Sequence, residues 1–347
     1  MKKDNPFTLT FGKKPSEYIS RYENTETIIS TFEAENPISQ TYLIEGIRGS
    51  GKTVLMTTIT KILEESKEWI VIDLNSTQNL IEDFAMRLSD ACAQLGEISP
   101  EISLSVGAVG LNVSGNSPLK DNISVIERIL SSLKKKKKKV VITIDEVLHD
   151  SNMRHFASEF QIFIRKDYPL FLIMTGLYEN IYAIQNDPAL TFLLRAPKIK
   201  LEPLSIRQIT MQYKNIFDIS IDEAKQFASI TKGYAFAFQA FGMLYWEYRE
   251  QLSLDEILIK FDDMLDDFVY KKIWESLSPQ DRNILLSFTD YNMKVKDICD
   301  SLSLTSSTFS KYRERLIKKG IIISNQHGYV TLTLPRFIDV IKYYEIS

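Results

Sequence analysis

The chain has 347 residues, a formal net charge of −3, 44% hydrophobic and 25% charged residues, an ordinary globular composition with room for two or three domains. No apolar run approaches the length of a membrane span, and Met1-Lys2-Lys3-Asp4 is not followed by the apolar core of a signal peptide. Two cysteines and three histidines suggest neither a disulfide framework nor a zinc site, so we expect a cytoplasmic protein. Without a predicted span, we also expect no binding to membranes.

A glycine-rich octet is the first element with a chemical signature. Residues 46–53 read Gly46-Ile47-Arg48-Gly49-Ser50-Gly51-Lys52-Thr53, which fits G-x-x-x-x-G-K-[ST], the phosphate-binding loop of nucleoside triphosphatases. A β-prone run, Thr41-Tyr42-Leu43-Ile44-Glu45, precedes the octet, and apolar residues at helical spacing follow it. In this context the glycines let backbone amides point at a polyphosphate, and the start of the helix adds its positive dipole end.

The octet predicts a binding site for ATP and Mg²⁺. Lys52 is expected to reach the β and γ phosphates, and the Thr53 hydroxyl is expected to bind the metal. The alternative is a glycine turn that binds nothing. The residues predicted to contact the nucleotide or its metal are Gly46, Ile47, Arg48, Gly49, Ser50, Gly51, Lys52, Thr53, Val54 and, from a later strand, Asp145.

The segment between the second predicted strand and residue 140 is longer than a standard crossover. A second predicted strand, Trp69-Ile70-Val71-Ile72-Asp73-Leu74, is followed by a predicted helix near residues 78–95. Residues 102–113 alternate apolar with small or polar residues, which predicts a glycine-kinked β-hairpin. This hairpin either contacts DNA or a partner or has no such role. Its lack of a basic residue weighs against contact with DNA phosphates. Residues 134–139 are all lysine, and we interpret them as a solvated helix end rather than a nucleic-acid patch.

Two carboxylates end a run of apolar, mostly β-branched residues. Val140-Val141-Ile142-Thr143-Ile144 is an uninterrupted β-prone run, which suits a strand buried on both faces of a parallel sheet. Asp145 and Glu146 follow at the sheet edge where open α/β folds bind ligands. We therefore predict that Asp145 is the Walker B aspartate on the Mg²⁺ side and that Glu146 is the general base for the attacking water. A solvated strand exit is the alternative. No Asn-Lys-x-Asp guanine signature occurs, so ATP hydrolysis is favoured.

A further strand completes a family pattern. Pro169-Leu170-Phe171-Leu172-Ile173-Met174-Thr175-Gly176 is another buried-type run that closes on a small hydroxyl residue. With the octet and the Asp145-Glu146 strand, it resembles the AAA+ ATPases, in particular the branch of origin-recognition and archaeal-type ATP-binding proteins. The resemblance covers residues 15–250. It implies an α/β P-loop NTPase fold, a parallel sheet flanked by helices, and it gives Thr175 the role of sensor 1, which contacts the γ-phosphate or the attacking water.

Three other positions follow from this resemblance. Tyr18-Ile19-Ser20-Arg21 is similar to the family's aromatic and arginine box beside the adenine. Arg195, just before Lys198-Ile199-Lys200-Leu201, has the place of the arginine finger that reaches a neighbouring subunit; a surface arginine at a helix end is the alternative. Phe236, in Gly233-Tyr234-Ala235-Phe236, stands where the family's lid carries the sensor 2 arginine. In this respect the lid resembles the STAND-like branch, so slow or partner-stimulated hydrolysis is expected.

The last third of the chain divides into two predicted domains. The pattern is helical from residue 205 to 275, as in an all-α lid. Ser278 and Pro279 are an N-cap and N1 pair that opens a new helix, and further helices are predicted within residues 295–302 and 304–320. Two β-prone runs surround Asn325-Gln326-His327-Gly328, and the whole segment resembles the winged helix-turn-helix family. We predict an ATPase core at 1–204, a lid at 205–275 and a winged helix at 276–347.

The winged-helix resemblance predicts DNA contacts by the third helix, whose N-terminal part enters the major groove in this motif. Residues 278–347 contain ten Lys/Arg and seven Asp/Glu, a net charge of +3, so the rest of the chain carries −6. This asymmetry favours DNA, although winged helices also dock proteins. Phe309, Leu316 and Ile317 are predicted to be core. The predicted DNA-contacting residues are Ser306, Ser307, Ser310, Lys311, Arg313, Arg315 and His327.

Two functions from different classes fit these features. The first is an AAA+ type ATPase that hydrolyses ATP to ADP and phosphate and acts on or with double-stranded DNA. The second is a STAND-like regulatory switch, in which bound nucleotide controls the exposure of the C-terminal domain to a protein partner. Phe236 favours the second function and the basic third helix favours the first. A second copy of the chain or another protein is a further expected partner.

Overall fold

The computed structural model describes residues 4–10, 17–97 and 118–345, and the hairpin predicted at residues 102–113 lies outside them. The described chain forms two compact units. The first, here called the sheet unit, comprises the described parts of residues 21–45 and 52–200. The second, the helical unit, comprises those of residues 1–20, 46–51 and 201–347. The predicted division into three domains stays a prediction.

A five-stranded parallel sheet is the centre of the sheet unit. The strands are β1 (Thr41–Glu45), β2 (Trp69–Leu74), β3 (Lys139–Ile144), β4 (Leu170–Gly176) and β5 (Lys198–Lys200). Their spatial order is β2-β3-β4-β1-β5, so β4 separates the strand before the glycine octet from the strand before the two carboxylates. The uninterrupted apolar runs form these strands because both sheet faces are covered. The predicted parallel α/β sheet is confirmed.

Helices cover both faces of this sheet. Alternate strand residues point to opposite faces, so each face presents apolar side chains to the helices. Phe32 of α1 has ring contacts at centroid distances of 4.8–6.2 Å with one side chain from each of three strands: Tyr42, Trp69 and Phe171. The neighbouring strand residues Leu43, Ile70 and Leu172 pack into a second apolar cluster with α3, α4 and α5. The helices are α1 (Tyr22–Glu33), α2 (Lys52–Glu64), α3 (Leu80–Gln94), α4 (Pro118–Lys135), α5 (Ser151–Arg165) and α6 (Tyr178–Gln185), followed by a 3-10 turn (Leu193–Arg195).

Residues 206–275 of the helical unit form a series of helices, which correspond to the predicted lid and are here called the lid. Its helices there are α7 (Ile206–Phe217), α8 (Ile221–Thr231), α9 (Ala235–Tyr248), α10 (Leu254–Leu265), a π-helical turn (Asp266–Tyr270) and α11 (Lys271–Glu275). Ser205, Ser220 and Ser253 precede α7, α8 and α10, and each hydroxyl accepts the backbone amide three residues on. These caps satisfy amides that the first helical turn leaves without a partner, which explains where the helices begin.

The C-terminal segment combines short helices with a three-stranded antiparallel sheet. Its elements are α12 (Pro279–Leu286), β6 (Asn292–Lys294), α13 (Val295–Ser301), α14 (Ser306–Lys318), β7 (Ile322–Ile323), β8 (Tyr329–Leu332), α15 (Phe337–Ile341) and a 3-10 turn (Lys342–Glu345). Strand β8 pairs with both β6 and β7. The sequence analysis did not predict β6 or α15. Among helices of the described ranges, none has the length and apolarity that a membrane crossing requires.

One apolar core runs through the lid helices and the C-terminal segment. It includes Phe241 and Phe261 of the lid and Phe309 of α14, each at most 1% exposed. Polar contacts reinforce this packing, because Arg336 forms a bidentate ion pair with Asp262 of α10, with one nitrogen–oxygen distance of 2.6 Å. The lid and the C-terminal segment are therefore parts of one compact body.

Candidate functional site

The glycine octet forms a tight loop between a strand and a helix. Strand β1 ends at Glu45 and α2 begins at Lys52, so residues 46–51 are the loop. Gly49 and Gly51 have φ angles of +74° and +92°, where L side chains are strained, so the loop conformation requires glycine at both. Lys52, the first residue of α2, is only 7% exposed, so its side chain is largely shielded from solvent.

The carboxyl ends of β3 and β4 bring the predicted metal ligands and the predicted sensor together. Asp145 directly follows β3, and Thr175 lies in β4, the neighbouring parallel strand. The hydroxyl of Thr53, the second residue of α2, donates to Oδ2 of Asp145 at 2.7 Å. The hydroxyl of Thr175 donates to Oδ1 of the same carboxylate. The first turn of the helix after the glycine loop thus lies against the acidic end of β3.

Glu146 has an unusual backbone conformation. Its φ angle is +51°, in the left-handed region that non-glycine residues rarely adopt. Two acceptors hold this conformation, because the Glu146 amide lies 3.1 Å from Oδ1 of Asp145 and 3.3 Å from the Thr175 hydroxyl oxygen. The next amide, that of Val147, donates to the Thr175 carbonyl at 2.9 Å. The Glu146 side chain is exposed, as a base that must reach water requires.

Thr53 and Asp145 fit a magnesium ion by their donor chemistry. They supply a hydroxyl oxygen and a carboxylate, which are the oxygen ligands that Mg²⁺ prefers. Mg²⁺ commonly takes only one or two protein ligands and completes its shell with water and phosphate oxygens. Within the part of the chain that the structure describes, no cluster of three or more His, Cys, Asp or Glu side chains could hold a metal ion.

Two contacts to the glycine loop come from the start of α9, and the sequence analysis predicted neither. Residues 46–51 and α9 belong to the same compact unit. The hydroxyl of Tyr234, just before α9, donates to the carbonyl of Arg48. The amide of Phe236 donates to the carbonyl of Gly49 at 3.0 Å. Phe236, considered above only for the charge that it lacks, therefore contacts the loop through its backbone.

Arg195 is exposed and lies in the 3-10 turn that leads into β5. The side-chain amide of Gln185, at the end of α6, donates to the carbonyls of Leu193 and Ala196 at 3.3 and 3.4 Å. These two bonds connect the end of α6 to both sides of the arginine. The position is compatible with a side chain that reaches out of the sheet unit, as the predicted arginine finger must.

A buried carboxylate connects the loop after β3 to the segment before Arg195. Asp187 is 6% exposed and accepts hydrogen bonds from His149 at 2.7 Å and Arg154 at 2.6 Å. The hydrogen bond to His149, then the amide of Ala189, then Arg154 lower the pKa of Asp187 to about 2. His149 follows Glu146 by only three residues. The sequence analysis gave His149 no role, because its partner lies 38 residues away.

The predicted DNA-contacting residues are distributed over the C-terminal segment. Phe309 and Leu316 of α14 are buried, and Ile317 is half-buried. Arg315 forms an ion pair with Asp281 at 2.6 Å, and it also donates to the Ser278 hydroxyl at 2.8 Å. The guanidinium of Arg315 is thus engaged within the segment. Arg313 is half-buried, and the exposed members of the set are Ser306, Ser307, Ser310, Lys311, Arg315 and, between β7 and β8, His327.

Tyr18 lines an open cleft of about 950 Å³ in the helical unit. The cleft lies between residues 17–20 and helix α7, with Arg207, Gln208 and Met211 on the α7 side. Gln212 of α7 donates to the Glu17 carboxylate at 2.6 Å. These contacts tie the N-terminal segment to the lid.

Comparisons with known proteins support the fold. The family model "Domain of unknown function (DUF8462)" matches residues 267–341. A search of curated proteins found no match. The chain is similar to the Walker-type ATPase PABY2304 of Pyrococcus abyssi, with 16% identity, 97% of this chain and 99% of that chain covered, and a TM-score of 0.67.

Two further solved structures resemble the chain over nearly its whole length. For the ORC2 protein of Aeropyrum pernix, in its ADPNP–ADP complexes, the identity is 14%, the coverage 97% and 98%, and the TM-score 0.60. For Cdc6p from Pyrobaculum aerophilum, the identity is 14%, the coverage 96% of each chain, and the TM-score 0.52. At these identities the similarity establishes the fold alone, which is the P-loop NTPase fold with helical regions.

Proposed function

We propose that the protein binds ATP with Mg²⁺ at the glycine loop and hydrolyses it slowly, as an AAA+ type ATPase. The observation that carries this proposal is the hydrogen bond between Thr53, in the first turn after the loop, and Asp145, at the end of β3. A phosphate loop and an acidic strand end must meet in this way for one metal ion to be held by both. The solved ORC2 structure with ADPNP and ADP supports a nucleotide as the ligand.

In this proposal each residue has a separate task. The loop amides and Lys52 bind the phosphates, while Thr53 and Asp145 would hold the metal, which would neutralise phosphate charge. Glu146 takes the proton of the attacking water, and Thr175 orients that water or the γ-phosphate. The adenine lies beside Tyr18 and its cleft. The phosphoryl group is transferred to water, so the products are ADP and phosphate.

The C-terminal segment is proposed to be a winged helix that binds double-stranded DNA. The exposed N-terminal part of α14, with Ser306, Ser307, Ser310 and Lys311, would enter the major groove, and His327 would be the wing tip. Arg313 would flank the phosphates. Arg315, paired with Asp281, would fix the helix that presents these residues.

An assay of ATP hydrolysis with and without duplex DNA tests both parts of the proposal. We expect slow hydrolysis that duplex DNA stimulates, and DNA affinity that falls steeply with salt because phosphate contacts release counterions. Replacing Lys311 by alanine should reduce the steepness of the fall of log affinity with log salt by about 1. Lys271→Ala, a change of an exposed lysine in α11, is the matched control and should leave the slope unchanged. Absence of DNA binding even at low salt would contradict the DNA role.

The second candidate, a STAND-like switch with a protein partner, is favoured by one observation. The lid meets the glycine loop through Tyr234 and Phe236 rather than through a charged sensor 2 residue. In such a switch, nucleotide exchange would change the lid, and turnover would be incidental. A protein that binds ATP tightly but neither binds DNA nor responds to it would fit this candidate.

The proposed arginine finger predicts complementation between two inactive variants. Arg195→Ala and Glu146→Gln should each be nearly inactive alone, if Arg195 acts on a neighbouring subunit. Mixing them should restore part of the activity, because some interfaces then pair an intact Arg195 with an intact Glu146. The measurement is the ATPase rate at a fixed total concentration across mixing ratios. A rate that is simply the weighted mean of the two variants would show that Arg195 does not act in trans.

A further inference from the structure

The glycine loop is held by two hydrogen bonds from one short segment. Tyr234 donates its hydroxyl to the carbonyl of Arg48, and Phe236 donates its amide to the carbonyl of Gly49 at 3.0 Å. The two acceptors are consecutive peptide carbonyls in the loop. The donors are also close in sequence, because Tyr234 precedes α9 and Phe236 is its second residue.

Peptide geometry links these carbonyls to the amides that a phosphate needs. In a trans peptide the carbonyl of one residue and the amide of the next point in opposite directions, and no cis peptide bond occurs in the described chain. Fixing the carbonyl of Arg48 therefore fixes the direction of the Gly49 amide. Fixing the carbonyl of Gly49 likewise fixes the direction of the Ser50 amide, which donates to Ile47 at 3.2 Å and closes the loop. The amides are thereby turned away from α9.

Gly49 is shaped for this contact. A side-chain carbon at this position would overlap the Tyr234 hydroxyl and would also press on Phe236. The positive φ angle of Gly49 disfavours any other residue independently. Glycine is thus required here twice, once by the backbone of the loop and once by the approach of Tyr234.

Tyr234 is suited to donate permanently. It is 6% exposed, and burial raises the pKa of its hydroxyl well above the usual value, so the phenol stays protonated. A buried hydroxyl without a hydrogen-bond partner is costly, which makes the bond persistent. Phenylalanine would keep the ring packing and remove only the donor.

We propose that Tyr234 is a positioning residue of the phosphate loop, which orients the Arg48–Gly49 peptide, and with it the Gly49 amide, for a polyphosphate. The inference rests on the proposed nucleotide binding. It assigns to the start of the lid a function that does not need the missing sensor 2 charge. The lid then contributes to the affinity for ADP as well as for ATP, because both nucleotides carry the phosphates next to the loop.

A matched pair of tyrosine variants tests this role. Tyr213 is also buried and donates to a backbone carbonyl, that of Phe238, at 2.7 Å, but it does so within the lid. Tyr234→Phe should weaken the binding of MgATP and MgADP roughly two- to tenfold, the loss expected for one hydrogen bond. Tyr213→Phe should lower the melting temperature about as much as Tyr234→Phe does, and it should leave both affinities unchanged. Titration calorimetry and thermal melting of the purified full chain supply these values.

Each other outcome has a definite meaning. Unchanged affinity in Tyr234→Phe would overturn the positioning role, and tighter binding would show that the contact closes the loop against nucleotide. Equal weakening in Tyr213→Phe would assign the effect to lid stability. If the unaltered protein bound no nucleotide at all, the proposed function would fail first, and the two failures are thus distinguishable.

Discussion

Replacing Lys52 by alanine is expected to abolish ATP binding at ordinary nucleotide concentrations. Lys52 begins α2 directly after the glycine loop and is 7% exposed, so its charge is largely shielded from water. Removing one partner of a desolvated charge pair costs about 2–5 kcal/mol, which corresponds to a loss of roughly 30-fold to several thousand-fold in affinity. Isothermal titration with MgATP and MgADP measures the effect.

Lys61→Ala is the control for this experiment. Lys61 lies in the last turn of the same helix and is exposed, so its removal changes the net charge by the same amount. We expect its affinity for MgATP to match that of the unaltered protein. An Lys52→Ala protein that is folded and binds ATP normally would refute the assignment of the loop, and with it the proposed site.

Replacing Glu146 by glutamine is expected to separate binding from turnover. The amide keeps the size of the side chain but cannot accept the proton of the attacking water, so hydrolysis should slow by about 10²- to 10⁴-fold. Affinity for MgATP should be retained, because the contacts that organise the site, between Thr53, Asp145 and Thr175, involve other side chains. Single-turnover measurements with excess protein follow the chemical step directly.

Glu64→Gln, at the exposed end of α2, is the charge-matched control and should hydrolyse ATP at the normal rate. If Glu146→Gln also hydrolysed ATP normally, another group would have to act as the base. If it lost nucleotide affinity instead, we would assign the loss to the left-handed backbone at residue 146. The backbone amide of this residue contacts Asp145 and Thr175, so a shift of the backbone would displace both side chains.

Local patterns carried much of the fold and of the candidate site. The glycine octet and the strand before Asp145 are contiguous in sequence, and their physics is local: glycine permits the loop, and apolar runs without alternation indicate a parallel sheet. Thr175 was predicted as a site residue through the resemblance to the AAA+ ATPases, and parallel strands bring their carboxyl ends to one edge of the sheet. The structure brings Thr53, Asp145 and Thr175 together as this geometry suggests.

Contacts between segments that are distant in the chain could not be predicted from local sequence patterns. The hydrogen bond from Tyr234 to the Arg48 carbonyl joins residues that are 186 positions apart. Every residue has a backbone carbonyl, so the residue type at position 48 does not indicate this contact. The pairing of His149 with Asp187 has the same origin. Strand β6 consists of Asn292, Met293 and Lys294, which have no strand propensity as a group, and it exists because β8 offers a partner.

The packing of the lid against the C-terminal segment restricts how this chain can be rearranged. A foreign segment joined after residue 275 would have to bring its own arginine to Asp262 and its own apolar surface to the lid core. The segment is therefore not an interchangeable cassette. Natural or engineered variants should accordingly change the two sides of this junction in concert rather than exchange one side alone.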